Sequence, residues 1–284
     1  MDSDEYIIEG HRSELERIAN KGLIGKIKII NNFIRDNQEM STTEIVSRFF
    51  PKGVVYTGCI HEQLDTELNR TELNLIVKHD GYYGTNKSKR NIPLLLKALN
   101  HTPDDAYYLF QLGKELRIDE QYEKAFSVLM KSYELSEGSY SFYNELILEI
   151  IYSGKELGKE EVINIINYNE LKLKHVTDFH FAKGLFILDF LLKFPKTNFV
   201  NIQMIENSFL TCIDLSEKAH KEYVQGTSSY LATYNLGVYY EITKDLSKAI
   251  NYYKLSAKYS YSPAQKRLDF IQTCQNEIVD SSSL

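Results

Sequence analysis

The chain has 284 residues, enough for one or two domains with a sizeable core. Hydrophobic residues at 43% and charged residues at 25% are ordinary for a folded protein, and a formal net charge of −6 argues against nucleic acid or an anionic membrane surface as a bulk partner. No run approaches the roughly 18 uninterrupted apolar residues of a membrane span, and the acidic start lacks a signal pattern; with Cys59, Cys212 and Cys274 too scattered for a disulfide framework or zinc site, a cytoplasmic location is expected.

Asp2-Ser3-Asp4-Glu5 opens the chain. Two carboxylates one residue apart can hold a metal and a diphosphate at the end of a strand; alone, they also describe a solvated acidic terminus. Residues 11–21 read as a short surface helix ended by Gly22, and residues 24–34 are apolar and β-branched, a strand signal. Residues 45–50 and 54–57 read as two short strands around the turn Pro51-Lys52-Gly53, and residues 73–79 as a fourth. His61-Glu62 then falls at a strand exit, where an acid–base pair can sit at a sheet's edge; the plainer reading is an exposed Glu beside a core-edge His. His79-Asp80-Gly81-Tyr82 marks a turn at which His79 could bind a metal or a phosphate oxygen, or Asp80 could simply stabilise the turn.

Residues 87–100 carry a helical pattern, with Ile92, Leu95, Leu96 and Leu99 on one face. Lys87, Lys89 and Arg90 stand at its start, where each cation opposes the macrodipole by typically about 0.3–1 kcal/mol. An anion is therefore expected there, and a diphosphate would suit the free N–H groups; otherwise the cations point away into solvent.

After Pro103 the texture becomes helical. Leu109-x-x-Leu112-Gly113-x-x-Leu116 is followed by Ala125-x-x-x-Leu129, and Thr233-x-x-Leu236-Gly237-x-x-Tyr240 by Ala249-x-x-x-Tyr253, with the same Gly-to-Ala interval. This is the tetratricopeptide pattern. A Gly inside a helix costs roughly 1 kcal/mol against Ala, so both glycines call for a close helix crossing. Between them the sequence reads as helices at about 141–153, 160–172, 178–193 and 203–222, with Phe181, Leu185, Leu188 and Leu192 forming one apolar face. The fold expected is an α+β N-terminal segment (1–100), a tetratricopeptide-like helical solenoid (101–275), mostly α overall, and a frayed tail (276–284).

Taken together, Asp2-Ser3-Asp4-Glu5, Arg48-Phe49-Phe50, Tyr56 through Leu64 with His61-Glu62, His79-Asp80-Gly81-Tyr82, Lys87-x-x-Arg90-Asn91 and Pro103-Asp104-Asp105 resemble the C-terminal part of a family 2 glycosyltransferase of the GT-A fold, over residues 2 to about 135. The resemblance implies an inverting transfer of sugar from a nucleotide-sugar donor. It makes Asp4 a ligand of Mg²⁺ or Mn²⁺, Asp2 a contact to the nucleotide and Glu62 the base that deprotonates the acceptor. His79 would complete the metal or diphosphate site, and Lys87 and Arg90 would close over the phosphates. It also implies that the nucleotide-binding half preceding the acidic motif lies outside this chain, which is then either a truncated enzyme or one half of a split enzyme completed by a partner chain, and that the repeats hold a peptide or protein acceptor. The alternative is a tetratricopeptide interaction module with a catalytic remnant.

Overall fold

The computed structural model describes residues 5–19, 21–35, 38–58, 60, 62–79, 87–136, 138, 140–198, 200–216 and 223–281. In chain order these form β1 (Glu5–Glu9), α1 (Arg12–Ala19), β2 (Ile24–Arg35), β3 (Gln38–Phe49), β4 (Tyr56–Thr57), β5 (Gln63–Leu64) and β6 (Arg70–His79). Helices follow: α2 (Ser88–His101), α3 (Ala106–Ile118), α4 (Tyr122–Leu135), α5 (Tyr143–Leu157), α6 (Glu161–Asn169), α7 (Thr177–Lys193), α8 (Gln203–Ser216), α9 (Tyr230–Ile242), α10 (Leu246–Ala257) and α11 (Ser262–Ser281). The chain is thus mostly α, with its strands gathered at the N-terminal end. No helix among the described residues is long and apolar enough to cross a membrane.

Contacts divide the chain into two compact units, Met1–Glu149 with Tyr223–Gln225, and Ile150–Glu222 with Gly226–Leu284. The division passes through α5.

The first unit contains a four-stranded sheet in the order β1-β6-β2-β3. β2 and β3 form a long antiparallel hairpin, β1 runs antiparallel to β6, and β2 lies parallel to β6. Strand alternation decides which face is buried. Ile27 and Ile29 of β2 and Leu73, Leu75 and Val77 of β6 turn inward onto Ile18 of α1, while Lys26 and Lys28 turn outward. Burying each of these side chains is worth about 1.5–3 kcal/mol. At the two edges, Arg48 at the end of β3 donates to the buried Glu5 carboxylate of β1 at 2.6 Å. Tyr223–Gln225 pairs with the outer side of β3, through Thr43 N–H to Tyr223 O at 3.0 Å and Gln225 N–H to Ser41 O at 3.1 Å.

This sheet differs from the expected one. A GT-A domain alternates strands with helices, because a parallel sheet needs crossover connections. Here β2 through β6 follow one another with no helix between them. The expected strand at 54–57 shrinks to the exposed pair Tyr56–Thr57, joined to Gln63–Leu64 in a separate two-stranded ribbon. The expected strand at 45–50 is instead the end of twelve-residue β3.

The helices answer the glycine question. A Cβ on Gly113 would lie 2.4 Å from Leu129, and one on Gly237 would lie 2.5 Å from Tyr253. The first helix of each hairpin therefore touches the second through a bare backbone. Gly184 of α7 does the same against Phe209 of α8, at 2.8 Å. Asp105 and Asp245 start α3 and α10 by accepting the N–H of Tyr108 and Lys248 at 3.0 and 3.1 Å. Pro103-Asp104-Asp105 thus includes a helix cap.

Candidate functional site

Asp2, Asp4, His61 and the segment Asp80-Gly81-Tyr82 lie outside the described residues. Glu62 is exposed, in the link between β4 and β5. His79 ends β6 and stands in another sheet, its Nδ1 2.9 Å from Asn31 Oδ1. Lys87 borders α2, and Arg90 is exposed in the first turn of α2, its Nε donating to Asn91 Oδ1 at 3.2 Å. The structure so brings Lys87 and Arg90 onto one helix start and leaves Glu62 and His79 on other elements. Among the described residues no group of three or more His, Cys, Asp or Glu could hold a metal ion.

A buried carboxylate of the protein itself stands at the start of α2. Ser88 Oγ donates to Glu115 Oε2 at 2.6 Å and Asn91 Nδ2 to Glu115 Oε1 at 2.7 Å, all three residues buried. A carboxylate that accepts two side-chain donors at a helix N-terminus is stabilised by both the bonds and the dipole. Glu115 lies on α3, far along the chain, so the local sequence could not show it. On the same helix, Lys114 Nζ donates to Glu145 Oε2 at 3.3 Å, and Arg117 forks onto Glu149. Burial alone would lower the Lys114 ammonium; Glu145, Glu44 and Glu149 outweigh it and hold the pKa above the usual lysine value.

An open apolar pocket of about 410 Å³ lies in the second unit, between α7, α8 and α9. α7 supplies Leu188, Leu191 and Leu192 from its last turns, because its other face (Phe186, Ile187, Phe190) is spent in the core. Pro195 in the following link lies in the wall, and Val200, Asn201, Ile202, Ile205, Tyr239 and Ile242 complete the lining. Leu192, Ile202 and Ile242 are 63%, 43% and 43% exposed, so the lining opens to solvent. Glu206 follows the lining residue Ile205 on α8. Glu206 accepts hydroxyls from Tyr240 and, at 3.4 Å, Tyr239, and the amide of Gln203; Lys248 Nζ lies 4.7 Å from the centre of the Tyr240 ring. Burial by itself would raise the Glu206 carboxyl, but these hydroxyls, the amide and Lys248 hold it below the usual carboxylate range. Tyr239 therefore has two duties: its ring lines the pocket and its hydroxyl fixes Glu206. Sequence reading found Leu188 and Leu192 as an apolar face but missed the rest, since the other walls come from separate helices.

No protein-family model matches the chain, and no curated protein does. Among solved structures, it is similar to residues 41-end of MamA from Desulfovibrio magneticus RS-1, at 12% identity and a TM-score of 0.48, over 62% of this chain and 86% of that one. It is similar to YrrB, described as a TPR protein with an unusual peptide-binding site, at 14% identity and a TM-score of 0.46, over 64% and 84% of the two chains. A further MamA structure gives 16% identity and a TM-score of 0.46, over 65% and 99%. With β2 through β6 following one another without helix crossovers, the strands do not have the arrangement of a GT-A domain, and the chain is not the C-terminal part of such a glycosyltransferase. Asp4, the metal ligand that the resemblance implied, lies outside the described residues.

Proposed function

We propose that the chain is a protein-interaction module of tetratricopeptide-like hairpins, and that the pocket between α7, α8 and α9 seats one bulky apolar side chain of a peptide segment in its partner. The observation that carries this reading is the pocket itself: apolar walls, three of whose side chains stay open to water. Pockets that anchor a partner combine such a floor with a few fixed polar groups, and Glu206, tied down by two tyrosines, is such a group.

Panning a random-peptide display library on the full chain tests it. Selected peptides should share a Leu, Ile, Met or Phe, and their binding should weaken by about tenfold or more when Leu192→Asp or Ile242→Asp is introduced. Both side chains are exposed, so thermal melting should barely change. Peptides without a shared apolar residue, or peptides indifferent to both substitutions, would remove the pocket from the binding surface.

A further inference from the structure

The pocket between α7, α8 and α9 has a carboxylate at its edge whose charge is not balanced. Glu206 follows the buried lining residue Ile205, and the Tyr239 ring in the wall carries the hydroxyl that lies 3.4 Å from Glu206 Oε2. The carboxylate therefore stands no farther from the wall than a tyrosine ring is long. Tyr240 donates to Oε1, while Tyr239 and Gln203 both donate to Oε2. A carboxylate offers about four acceptor positions, so Oε2 is filled and one position on Oε1 stays open. All three donors are neutral and leave the charge in place. Among the described residues Lys248 is the cation whose charge bears on Glu206, and it forms its ion pair with Asp245, at 3.4 Å. Two carboxylates thus share one ammonium. Burial alone would raise the Glu206 pKa; Tyr240, Gln203, Tyr239 and Lys248 outweigh it, so the group is ionised at neutral pH.

A fixed carboxylate beside an apolar pocket selects the neighbour of the side chain that fills the pocket. An acidic neighbour is repelled, a neutral one leaves Glu206 to water, and a cation completes the open position on Oε1. One open position means contact through one N–H, which lysine and arginine both supply. Residues two apart on an extended peptide share a face at about 7 Å, and residues three or four apart share a helix face. Lys196 next to the wall residue Pro195 is also exposed, but ordering its long stem on a ligand costs side-chain entropy, whereas Glu206 is already held. The net charge of −6 adds a long-range attraction for basic segments.

Resting on the reading of this pocket as a peptide site, we infer that the partner segment is basic: a lysine or arginine two to four residues from the seated apolar side chain contacts Glu206. Peptides selected on the full chain test this through substitutions made in the peptide. Lys or Arg should recur at a fixed offset from the shared apolar residue. Changing it to Gln should weaken binding to the native chain by about fivefold, and binding to the Glu206→Gln chain by less than about twofold. The loss on the native chain should also shrink at about 0.5 M salt, a reading that needs no protein variant. Changing the shared apolar residue to Ala should weaken binding to both chains by about tenfold or more. Peptides with a shared apolar residue but no cation at a fixed offset, a cation whose loss both chains feel equally, or a loss indifferent to salt would each overturn the inference and leave the pocket reading standing. Peptides indifferent to loss of the apolar residue would overturn the pocket reading and the inference together.

Discussion

Gly113 shows how much one missing methyl can decide. Its Cβ would sit 2.4 Å from Leu129 Cγ, so Gly113→Ala must push α3 and α4 apart. Overpacking of this kind costs about 1–3 kcal/mol, against the roughly 1 kcal/mol that Ala gains in helix propensity. A net loss is expected in urea titrations, and it should shrink when Leu129→Ala accompanies it, a coupling that a double-mutant cycle reads directly. Gly113 and Gly237 were legible in the sequence because an equal interval leads from each to its partner, Leu129 or Tyr253. Gly184 was not, because the longer link between α7 and α8 delays Phe209. Glu115 teaches the complementary lesson. The cations at the start of α2 announced that an anion was needed, but nothing near them named it. Glu115→Ala removes the acceptor of two buried side chains, Ser88 and Asn91, and should destabilise the chain by about 1–3 kcal/mol. Urea titration checks this, and a midpoint unchanged from the native chain would mean that the anion at α2 lies elsewhere.

At the scale of elements, α7 divides its labour between two faces. Phe179, Phe186 and Phe190 are buried, and Phe209 of α8 closes over Gly184, while Leu192 stands in the open pocket. Phe209→Ala should therefore cost about 3–5 kcal/mol, and Leu192→Ala less than about 0.5 kcal/mol. Comparable losses at the two sites in chemical denaturation would contradict the assignment of faces. The helices could be read from periodicity because burial against a neighbour repeats with the helical turn. Strands fared unevenly. β2 and β6 were visible through Ile27, Ile29, Leu73, Leu75 and Val77, whose alternation records one buried face. The first part of β3, Gln38 through Thr43, has no such alternation; its ladder with β2, from Arg35–Gln38 onward, makes it a strand. β1 was read only as part of an acidic motif, although Tyr6, Ile7 and Ile8 are good strand formers.

For the whole molecule, groups of the second unit carry much of the pH response. Hydrogen bonds from Arg267, then Tyr253, hold the Glu241 carboxyl below its usual value, and Glu206 is held low against its burial by Tyr240, Gln203 and Tyr239. A depressed carboxylate contributes stability above its unfolded value, and that contribution fades as pH falls through the lower folded one. His180 adds in the same direction: burial lowers its pKa despite the bond to Lys174 O at 3.0 Å, so below the usual histidine value of 6.5 the unfolded chain takes up the proton first. Urea midpoints should decline in two stages, first below about pH 6.5 and again below the usual carboxylate range. His180→Gln should remove the first stage alone. At the alkaline end burial and Glu206 push the Tyr240 hydroxyl up, and burial and Glu241 push up that of Tyr253. Their contribution holds below the usual tyrosine value and is lost as pH rises beyond it. Midpoints that stay flat across the acid range would show that these partners do not form in solution.

By itself the sequence determined the mostly helical character, the two matched glycine crossings and the strand character of β2 and β6. Each of these is written locally, in a period, an interval or an alternation imposed by burial. Only the tertiary structure decided that the strands pair without helix crossovers, that Glu115 is the anion of α2 and that leucines of α7 meet Ile205 and Tyr239 around a pocket. These are contacts between residues distant in the chain. No local window records them, because the same alternation or charge can be satisfied by many partners and folding selects one.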